Sequence, residues 1–183
     1  MSTFAAHVAL LRGVNVGGAK RVPMAELREL LAALGYERIT TLLNSGNAVF
    51  HAVVGTSTSA HAQAIAAGIT ARLKLEVPVI VKSAKELAAI VAENPLAEEA
   101  SDPSRLLVVF APDAAALASL APIGALAQPP DRFVLGRHAA YLHCAGGILQ
   151  SRAGKALLGR AGRVATTRNW ATTQALHALA GQP

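Results

Sequence analysis

Residues 38–53 read RITTLLNSGNAVFHAV and predict a β-hairpin. Two runs rich in β-branched and apolar residues, Arg38–Leu43 and Ala48–Val53, have the composition of strands. Between them stands Asn44-Ser45-Gly46-Asn47, and Asn and Gly are the residues that tight turns favour. This hairpin supplies the second and third strands of the first half of the chain.

The segments on either side of the hairpin predict a β-α-β-β-α-β order. Upstream, the run His7–Arg12 is apolar at successive positions and predicts a central strand covered on both faces. A helix that starts at Pro23 separates this strand from the hairpin. Downstream come a helix over Ser59–Lys74 and a strand over Val77–Val81. This is the ferredoxin-like order, and a further helix over Ala84–Glu93 is appended to it.

The rest of the chain echoes this order but is expected to end in a helix instead of a strand. Residues 95–104 contain two prolines and three acidic residues and form the candidate linker. We therefore assign residues 1–94 to a ferredoxin-like N-terminal half and residues 105–183 to a second α+β half. The predicted elements of the second half are a strand over Leu106–Phe110, a helix over Asp113–Leu120, paired strands over Phe133–Leu135 and Ala139–His143, a helical segment over Ile148–Leu158 and a final helix over Asn169–Ala180.

The predicted fold class is α+β, with two ferredoxin-like halves packed together, largely antiparallel sheets and helices on one face. Of the 183 residues, 52% are hydrophobic and 15% are charged, so burial offsets the entropy of ordering the chain. No stretch approaches the roughly 20 apolar residues of a membrane helix, and we expect no membrane partner. The single cysteine, Cys144, excludes an internal disulfide and fits a reducing compartment. We expect a cytoplasmic monomer or homodimer.

The net charge of +6 is unevenly distributed. Residues 1–100 contain nine basic and eight acidic side chains, whereas residues 101–183 contain eight basic and three acidic ones. From Arg132 to Arg168 there are seven basic residues and no acidic residue. Such a field attracts phosphates or nucleic acid, and a solvated basic surface of an Arg-rich protein explains it equally well.

The first candidate site is the loop RGVNVGG, residues 12–18, which follows the first strand. Its glycines let backbone N–H groups line a concavity that can hold an anion, and the next helix adds a favourable dipole at its N-terminus. Arg12, Lys20 and Arg21 add full charges. The loop is not a P-loop, because Ala19 stands where the lysine is needed. Glycines required for a tight crossing under the sheet explain the same sequence.

Two further stretches are candidate sites. The hairpin turn Asn44–Asn47 could present amides to a ligand beside Asn15, although ordinary hairpin chemistry also accounts for it. Thr166–Trp170 opens the last predicted helix, where Asn169 or Thr167 suits the N-cap. Arg168 would then be a cation at a helix N-terminus, which is locally unfavourable and invites a negative partner. That partner is either a ligand or a buried carboxylate.

Other kinds of chemistry lack support in the sequence. The six histidines show no metal-binding spacing, so no metal site and no cofactor are predicted. His143 and Cys144 are neighbours on a predicted strand and point to opposite faces, which argues against a catalytic pair. No pair of carboxylates resembles a hydrolytic site.

Four segments resemble the signature blocks of the domain-of-unknown-function 1697 family. They are ALLRGVNVGGAKRVPMAELRELLAALGY (9–36), LLNSGNAVF (42–50), NPLAEEASDPSRLLVVF (94–110) and TTRNWATTQALHAL (166–179). The resemblance spans nearly the whole chain and implies two α/β halves of ferredoxin-like character. It implies no established activity, cofactor or catalytic residues. Leu43 stands where the family usually has Gln, and Ala48 where a larger apolar residue is usual, which weakens any role for a polar side chain at position 43.

The leading hypothesis is that the chain binds a phosphate-bearing, nucleotide-like small molecule in a cleft between the halves. The alternatives are nucleic-acid backbone binding through the basic second half, an enzyme acting on a phosphorylated substrate, and a structural or interaction role. Aromatic residues are only 4% of the chain, which argues against base stacking. The candidate anion-binding residues are Arg12, Asn15, Gly17, Gly18, Lys20, Asn44, Ser45, Asn47, Thr167, Arg168 and Asn169.

Overall fold

A computed structural model describes residues 3–18 and 20–182 of the chain. These residues form eight β-strands and six α-helices. They fall into two units: the N-terminal unit, Met1–Leu87 with Leu176–Pro183, and the second unit, Ala88–Ala175. The predicted linker, residues 95–104, lies within the second unit, and the domain bounds drawn from the sequence stay a prediction.

The N-terminal unit contains the predicted hairpin at one side of a four-stranded sheet. The elements are β1 (Phe4–Leu11), α1 (Met24–Ala33), β2 (Glu37–Leu42), β3 (Asn47–Val53), α2 (Thr58–Leu73) and β4 (Val79–Ser83), followed by α3 (Ala84–Glu93). The sheet has the order β2-β3-β1-β4, and every neighbouring pair of strands is antiparallel. In the register of the sheet, Ala9 lies opposite both Ala48 and Val81.

Both helices of the N-terminal unit pack on one face of its sheet. Leu27 and Leu31 of α1 are four residues apart and therefore lie on one helical face, as do Ile65 and Ile69 of α2. Their side chains join Phe50 and the other core residues of the sheet in one apolar cluster. Burying each such side chain contributes about 1.5–3 kcal/mol to stability. The apolar side chains that recur at helical spacing in the sequence thus hold α1 and α2 on the sheet.

The central position of β1 is confirmed. Val8 and Leu10 point to one face of the sheet, Ala9 and Leu11 point to the other, and all four are buried. β1 also has a strand on each side, because it pairs with β3 and β4. The loop that precedes α1 therefore begins at a fixed position, directly after Leu11.

The second unit repeats this arrangement. Its elements are β5 (Leu106–Phe110), α4 (Ala114–Ala118), a 3₁₀-helix (Ala121–Leu126), β6 (Arg132–Leu135), β7 (Ala140–His143), α5 (Arg152–Leu158) and β8 (Thr166–Asn169), followed by α6 (Trp170–Ala180). The four-stranded sheet has the order β6-β7-β5-β8, again with antiparallel neighbours. Leu117 of α4 and Leu157 of α5 pack with Leu107, Val109 and Leu142 in one core, so these helices also share a face of their sheet.

The expectation that the second half ends without a strand is wrong. Thr166–Asn169 forms β8, which pairs with β5 so that Arg168 lies opposite Val108. The polar sequence TTRN lacks the apolar alternation of a strand, and its pairing with a buried strand about 60 positions earlier determines its conformation. The two units therefore share the order β-α-β-β-α-β followed by a helix.

Two helices of the second unit are shorter than predicted, and both begin at a side-chain cap. Ser151 accepts a hydrogen bond from the Gly154 N–H at 3.0 Å, so α5 begins at Arg152. Asp113 accepts from the Ala116 N–H at 2.8 Å and starts α4, which ends at Ala118. The chain then continues as the 3₁₀-helix, which the sequence analysis did not predict.

Gly46 allows the tip of the hairpin to lie directly against the end of β1. Its carbonyl accepts a hydrogen bond from the Leu11 N–H at 2.8 Å, and its φ is +82°. A Cβ at this position would lie 2.7 Å from both Leu11 Cβ and Val14 Cγ2. Glycine is required here both for the left-handed backbone and for the close approach.

We expect Gly46→Ala to destabilise the protein by about 2–4 kcal/mol, because a left-handed φ and a blocked Cβ act together. Gly35→Ala is the matched control. Gly35 has a φ of +83°, and none of the described atoms lies within 4 Å of its Cβ position. Only the conformational cost of about 1 kcal/mol is expected there. Urea denaturation measures both losses, and equal losses would contradict the packing of the hairpin tip against β1.

Candidate functional site

A cleft of about 870 Å³ lies in the N-terminal unit at the start of α1. We call it the α1 cleft. Its walls come from the loop after β1, the hairpin tip and the first two turns of α1. Clefts of this size accommodate metabolite-sized ligands. The residues that line it are Asn15, Gly18, Arg21, Val22, Pro23, Met24, Ala25, Arg28 and Asn44.

Asn15 holds the loop and the hairpin tip together. Its Nδ2 donates to the carbonyls of Asn44, at 2.5 Å, and Val22, at 2.8 Å. Its Oδ1 accepts from the Val22 N–H at 2.9 Å. The φ of Asn15 is +58°, a left-handed conformation that asparagine tolerates better than most residues. Both amide hydrogens are used inside the protein, so Asn15 shapes the wall of the cleft.

The cationic groups of the α1 cleft are Arg21 and Arg28, both of which are exposed. Arg28 Nη1 donates to Thr41 Oγ1 at 2.7 Å, which turns the guanidinium toward the hairpin. Arg28 follows Met24 by one helical turn and therefore lies on the same side of α1. Arg28 is not among the site residues predicted from the sequence, and its helical spacing from the predicted N-terminus is the signal that could have found it.

The N-terminus of α1 has no side-chain cap. Pro23 occupies the N-cap position, and no side chain of the described residues accepts from the first N–H groups there. Those N–H groups carry a partial positive charge, and in a ten-residue helix the dipole adds to it. Met24 and Ala25 line the cleft. The cleft therefore combines backbone donors with two guanidinium groups.

The acidic residues of α1 are engaged on another side of the helix. Arg72 Nε lies 2.6 Å from Glu26 Oε2, and its Nη2 also binds Glu29. These hydrogen bonds raise the pKa of Arg72 above its ordinary value. Since Arg72 of α2 binds both carboxylates, they are engaged away from Arg28.

Other residues predicted for the first two stretches contribute elsewhere. Asn47 is buried, and its Nδ2 donates to Leu42 O at 3.0 Å and to Ser45 Oγ at 2.9 Å, so both Asn47 and Ser45 brace the hairpin. Lys20 Nζ donates to Glu76 O at 2.6 Å. Lys20 lines a separate hollow of about 360 Å³.

Of the remaining residues of the first loop, only Gly18 is part of the α1 cleft. Arg12 is half-buried, and its backbone N–H donates to Pro78 O at 2.9 Å. Gly17 and Gly18 have φ values of +61° and +79°, which the loop needs to reverse direction before α1.

The third predicted stretch belongs to the second unit, and its predicted conformation is corrected. Arg168 lies within β8 and is buried, whereas the sequence analysis placed it in a turn before the last helix. Its Nη1 donates to Thr166 Oγ1 at 2.9 Å and to Thr167 O at 2.7 Å. Burial lowers the pKa of Arg168 to about 10, so it stays charged at neutral pH. Its convergence with Asn15 stays a prediction.

The capping role of Asn169 is confirmed. Its Oδ1 accepts from the Thr172 N–H at 2.8 Å, at the start of α6. Trp170 is buried. Cys144 is buried too, and burial raises the pKa of its thiol to about 11, which keeps it protonated at neutral pH.

Residues 3–18 and 20–182 contain no group of three or more His, Cys, Asp or Glu side chains placed to hold a metal ion. No helix among them has both the length and the apolar character needed to cross a membrane.

Residues 4–141 match the model of a family described as protein of unknown function, DUF1697. The chain belongs to the DUF1697 family. The resemblance seen in the sequence is thereby confirmed. Among curated proteins, none matches this DUF1697 chain. The solved structure of the conserved bacterial protein SP0830 from Streptococcus pneumoniae is similar, with a TM-score of 0.80 and 22% identity. The match covers 97% of this chain and 99% of SP0830, so the fold is shared over nearly the whole length of both.

We expect Asn15→Asp to destabilise this DUF1697 chain by about 2 kcal/mol at pH 8, because a carboxylate oxygen would then face two carbonyls. Aspartate tolerates the left-handed backbone as asparagine does, so backbone strain is unchanged. The loss should shrink towards pH 4, where the carboxyl group binds a proton and can donate. Asn44→Asp is the control, because only the backbone carbonyl of Asn44 makes the contact. Equal losses in urea denaturation would contradict the bracing role of Asn15.

Proposed function

We propose that the α1 cleft binds a phosphate-bearing small molecule of nucleotide-like size. The observation that carries this proposal is that one cleft of about 870 Å³ is lined by two arginines and by the uncapped start of a helix. Guanidinium groups bind phosphate oxygens in pairs of parallel hydrogen bonds. Helix N-termini bind phosphate through backbone N–H groups.

The equivalent position of the second unit supports the assignment. There, the connection between β5 and α4 contains only residues 111–113, and the Asp113 carboxylate caps the helix. In the N-terminal unit, the connection between β1 and α1 covers residues 12–23, and no side chain of the described residues caps the helix. With the same order of elements, the N-terminal unit has the longer loop and leaves its helix donors for another acceptor.

The lining residues favour binding over catalysis. The described residues of the α1 cleft include no carboxylate, imidazole, thiol or hydroxyl group, which are the usual nucleophiles and general bases. Val22, Pro23 and Met24 provide an apolar wall for a sugar or a ring. The Asn44 side chain is exposed at the rim and offers an amide to a polar group.

A small ligand is favoured over nucleic acid because part of the basic stretch from Arg132 to Arg168 is engaged within the protein. Arg168 is buried in β8, and Arg132 forms an ion pair with Glu99. The phosphate backbone of a nucleic acid is bound by solvent-exposed cations. The basic charge available for such contacts is smaller than the sequence count indicates.

We further propose that each unit is of the ferredoxin-like type and that the protein works in the cytoplasm. The β-α-β-β-α-β order of both units and the strand orders β2-β3-β1-β4 and β6-β7-β5-β8 support the fold. A single buried cysteine, Cys144, supports a reducing compartment.

Isothermal titration with ATP and with inorganic pyrophosphate tests the proposed binding. We expect Arg28→Ala and Arg21→Ala each to weaken binding about 10- to 100-fold, because each removes a charged hydrogen bond to phosphate. Arg28→Lys should recover only part of the affinity, since lysine keeps the charge without the paired donors.

The matched control for this titration is Arg160→Ala, which removes an exposed arginine of the second unit and should leave the affinity unchanged. The proposal is overturned if neither ATP nor pyrophosphate gives a heat of binding at millimolar concentration. It is also overturned if Arg160→Ala weakens binding as much as Arg28→Ala does, because the affinity would then depend on net charge alone.

A further inference from the structure

Four rings pack together in the core of the N-terminal unit. We call His7, Tyr36, Phe50 and His61 the ring cluster. His7 stacks on Phe50 with ring centroids 5.5 Å apart, and Tyr36 stacks on Phe50 at 4.4 Å. The imidazoles of His7 and His61 meet edge to face at 4.8 Å. Only 6% of His7 and 4% of His61 is exposed, so two ionisable rings lie in contact away from water.

Neutral imidazoles satisfy the hydrogen bonds of the ring cluster. His7 Nδ1 lies 2.9 Å from Ala5 O, a carbonyl that can only accept, so His7 donates through Nδ1. His61 Nδ1 lies 2.8 Å from Tyr36 Oη. His61 Nε2 is buried without a hydrogen-bond partner among the described residues. Among the described residues, no carboxylate is hydrogen-bonded to the imidazole of His7 or His61. A positive charge on His61 would therefore lack a counter-ion in contact.

The charges around His7 do not offset its burial. Burial lowers the pKa of His7, although the hydrogen bond to Ala5 O and the carboxylate of Glu86 act in the opposite direction. On β4, Ser83 lies opposite His7, and the neighbouring Lys82 lies opposite Val8 and is therefore directed to the other face of the sheet. Neutral His7 is the form that the fold favours.

The surroundings of His61 act in the same direction. Burial lowers the pKa of His61, and a charge on His7 lowers it further. His51 on β3 is a third histidine near the ring cluster. Burial, Arg38 and His7 lower the pKa of His51, whereas Glu37 raises it. Protonation of His7 therefore opposes protonation of His51 and His61.

We propose that the His7–His61 contact is an acid-sensitive switch that holds α2 on the sheet while both rings are neutral and releases it on acidification. His7 belongs to β1 and His61 to α2, so a charge on either ring lies at the interface of these elements. Two imidazolium rings at 4.8 Å would repel each other without water between them. Release of α2 hydrates the rings and uncovers Ile65 and Ile69.

The sign of the pH dependence follows from proton binding. An unfolded histidine has a pKa of about 6.5, and both folded values lie below their ordinary range. Between the folded and unfolded values, the open state binds more protons, so closure weakens as the pH falls below about 6.5. Above that pH, this contribution is constant. Each histidine changes the opening equilibrium by at most about tenfold per pH unit.

Hydrogen exchange of the full chain at pH 7.5 and pH 5.5, corrected for the intrinsic exchange rate, tests the switch. We expect amide protection of Thr58–Leu73 to fall at least about tenfold at pH 5.5 relative to that of α5. His61→Gln should lose the share of this pH dependence that His61 contributes, because glutamine stays neutral, and keep the share of His7. His138→Gln removes an exposed imidazole of the second unit and should behave as the wild type.

Proton NMR measures the titration of the histidine imidazoles in the wild-type protein, so this test does not require that a variant folds. The imidazoles of His7 and His61 are expected to titrate below the value of about 6.5 of an unfolded histidine, and their shifts should track the loss of α2 protection. The switch is overturned if α2 protection is the same at both pH values, or if it falls equally in His61→Gln. It is also overturned if His7 and His61 titrate near pH 6.5.

Discussion

The close approach of the hairpin tip to the end of β1 organises the N-terminal unit. Gly46 accepts from the Leu11 N–H, and its lack of a Cβ leaves room for Leu11 and Val14. With the tip in this position, Asn15 reaches the Asn44 carbonyl at 2.5 Å. These contacts fix the loop that leads into α1. The α1 cleft is a direct consequence, because its walls are this loop, the hairpin tip and the helix start.

The two units share their architecture and differ in the feature that we associate with function. Both have the same element order and the same pattern of strand neighbours, so the cores alone do not distinguish them. The difference lies in the connection from the first strand to the first helix. Asp113 satisfies the N-terminus of α4 from within the protein, whereas the start of α1 faces a cleft with Arg21 and Arg28. Loops on a rigid scaffold commonly carry function, and the longer loop is the one with the cationic groups.

Local signals predicted most of the fold, and contacts between distant residues account for what they missed. The Asn-Ser-Gly-Asn turn and the leucine periodicity of α1 are local, and the elements that they predict are present. β8 depends on pairing with β5, and Asn15 bonds to a residue 29 positions away. Likewise, Glu93 accepts the backbone N–H groups of Arg137 and His138, which no short window of sequence reveals. The sequence located the loop but not Arg28.

In the proposed site, backbone donors at the start of α1 bind phosphate. Amide ¹H–¹⁵N correlation spectra recorded during a titration with inorganic pyrophosphate test this binding at the level of single N–H groups. The Met24 and Ala25 signals should shift in a saturable manner, while the corresponding signals of Ala114 and Ala115 at the capped start of α4 should remain in place. Unchanged Met24 and Ala25 signals, or equal shifts at both helix starts, would contradict this binding.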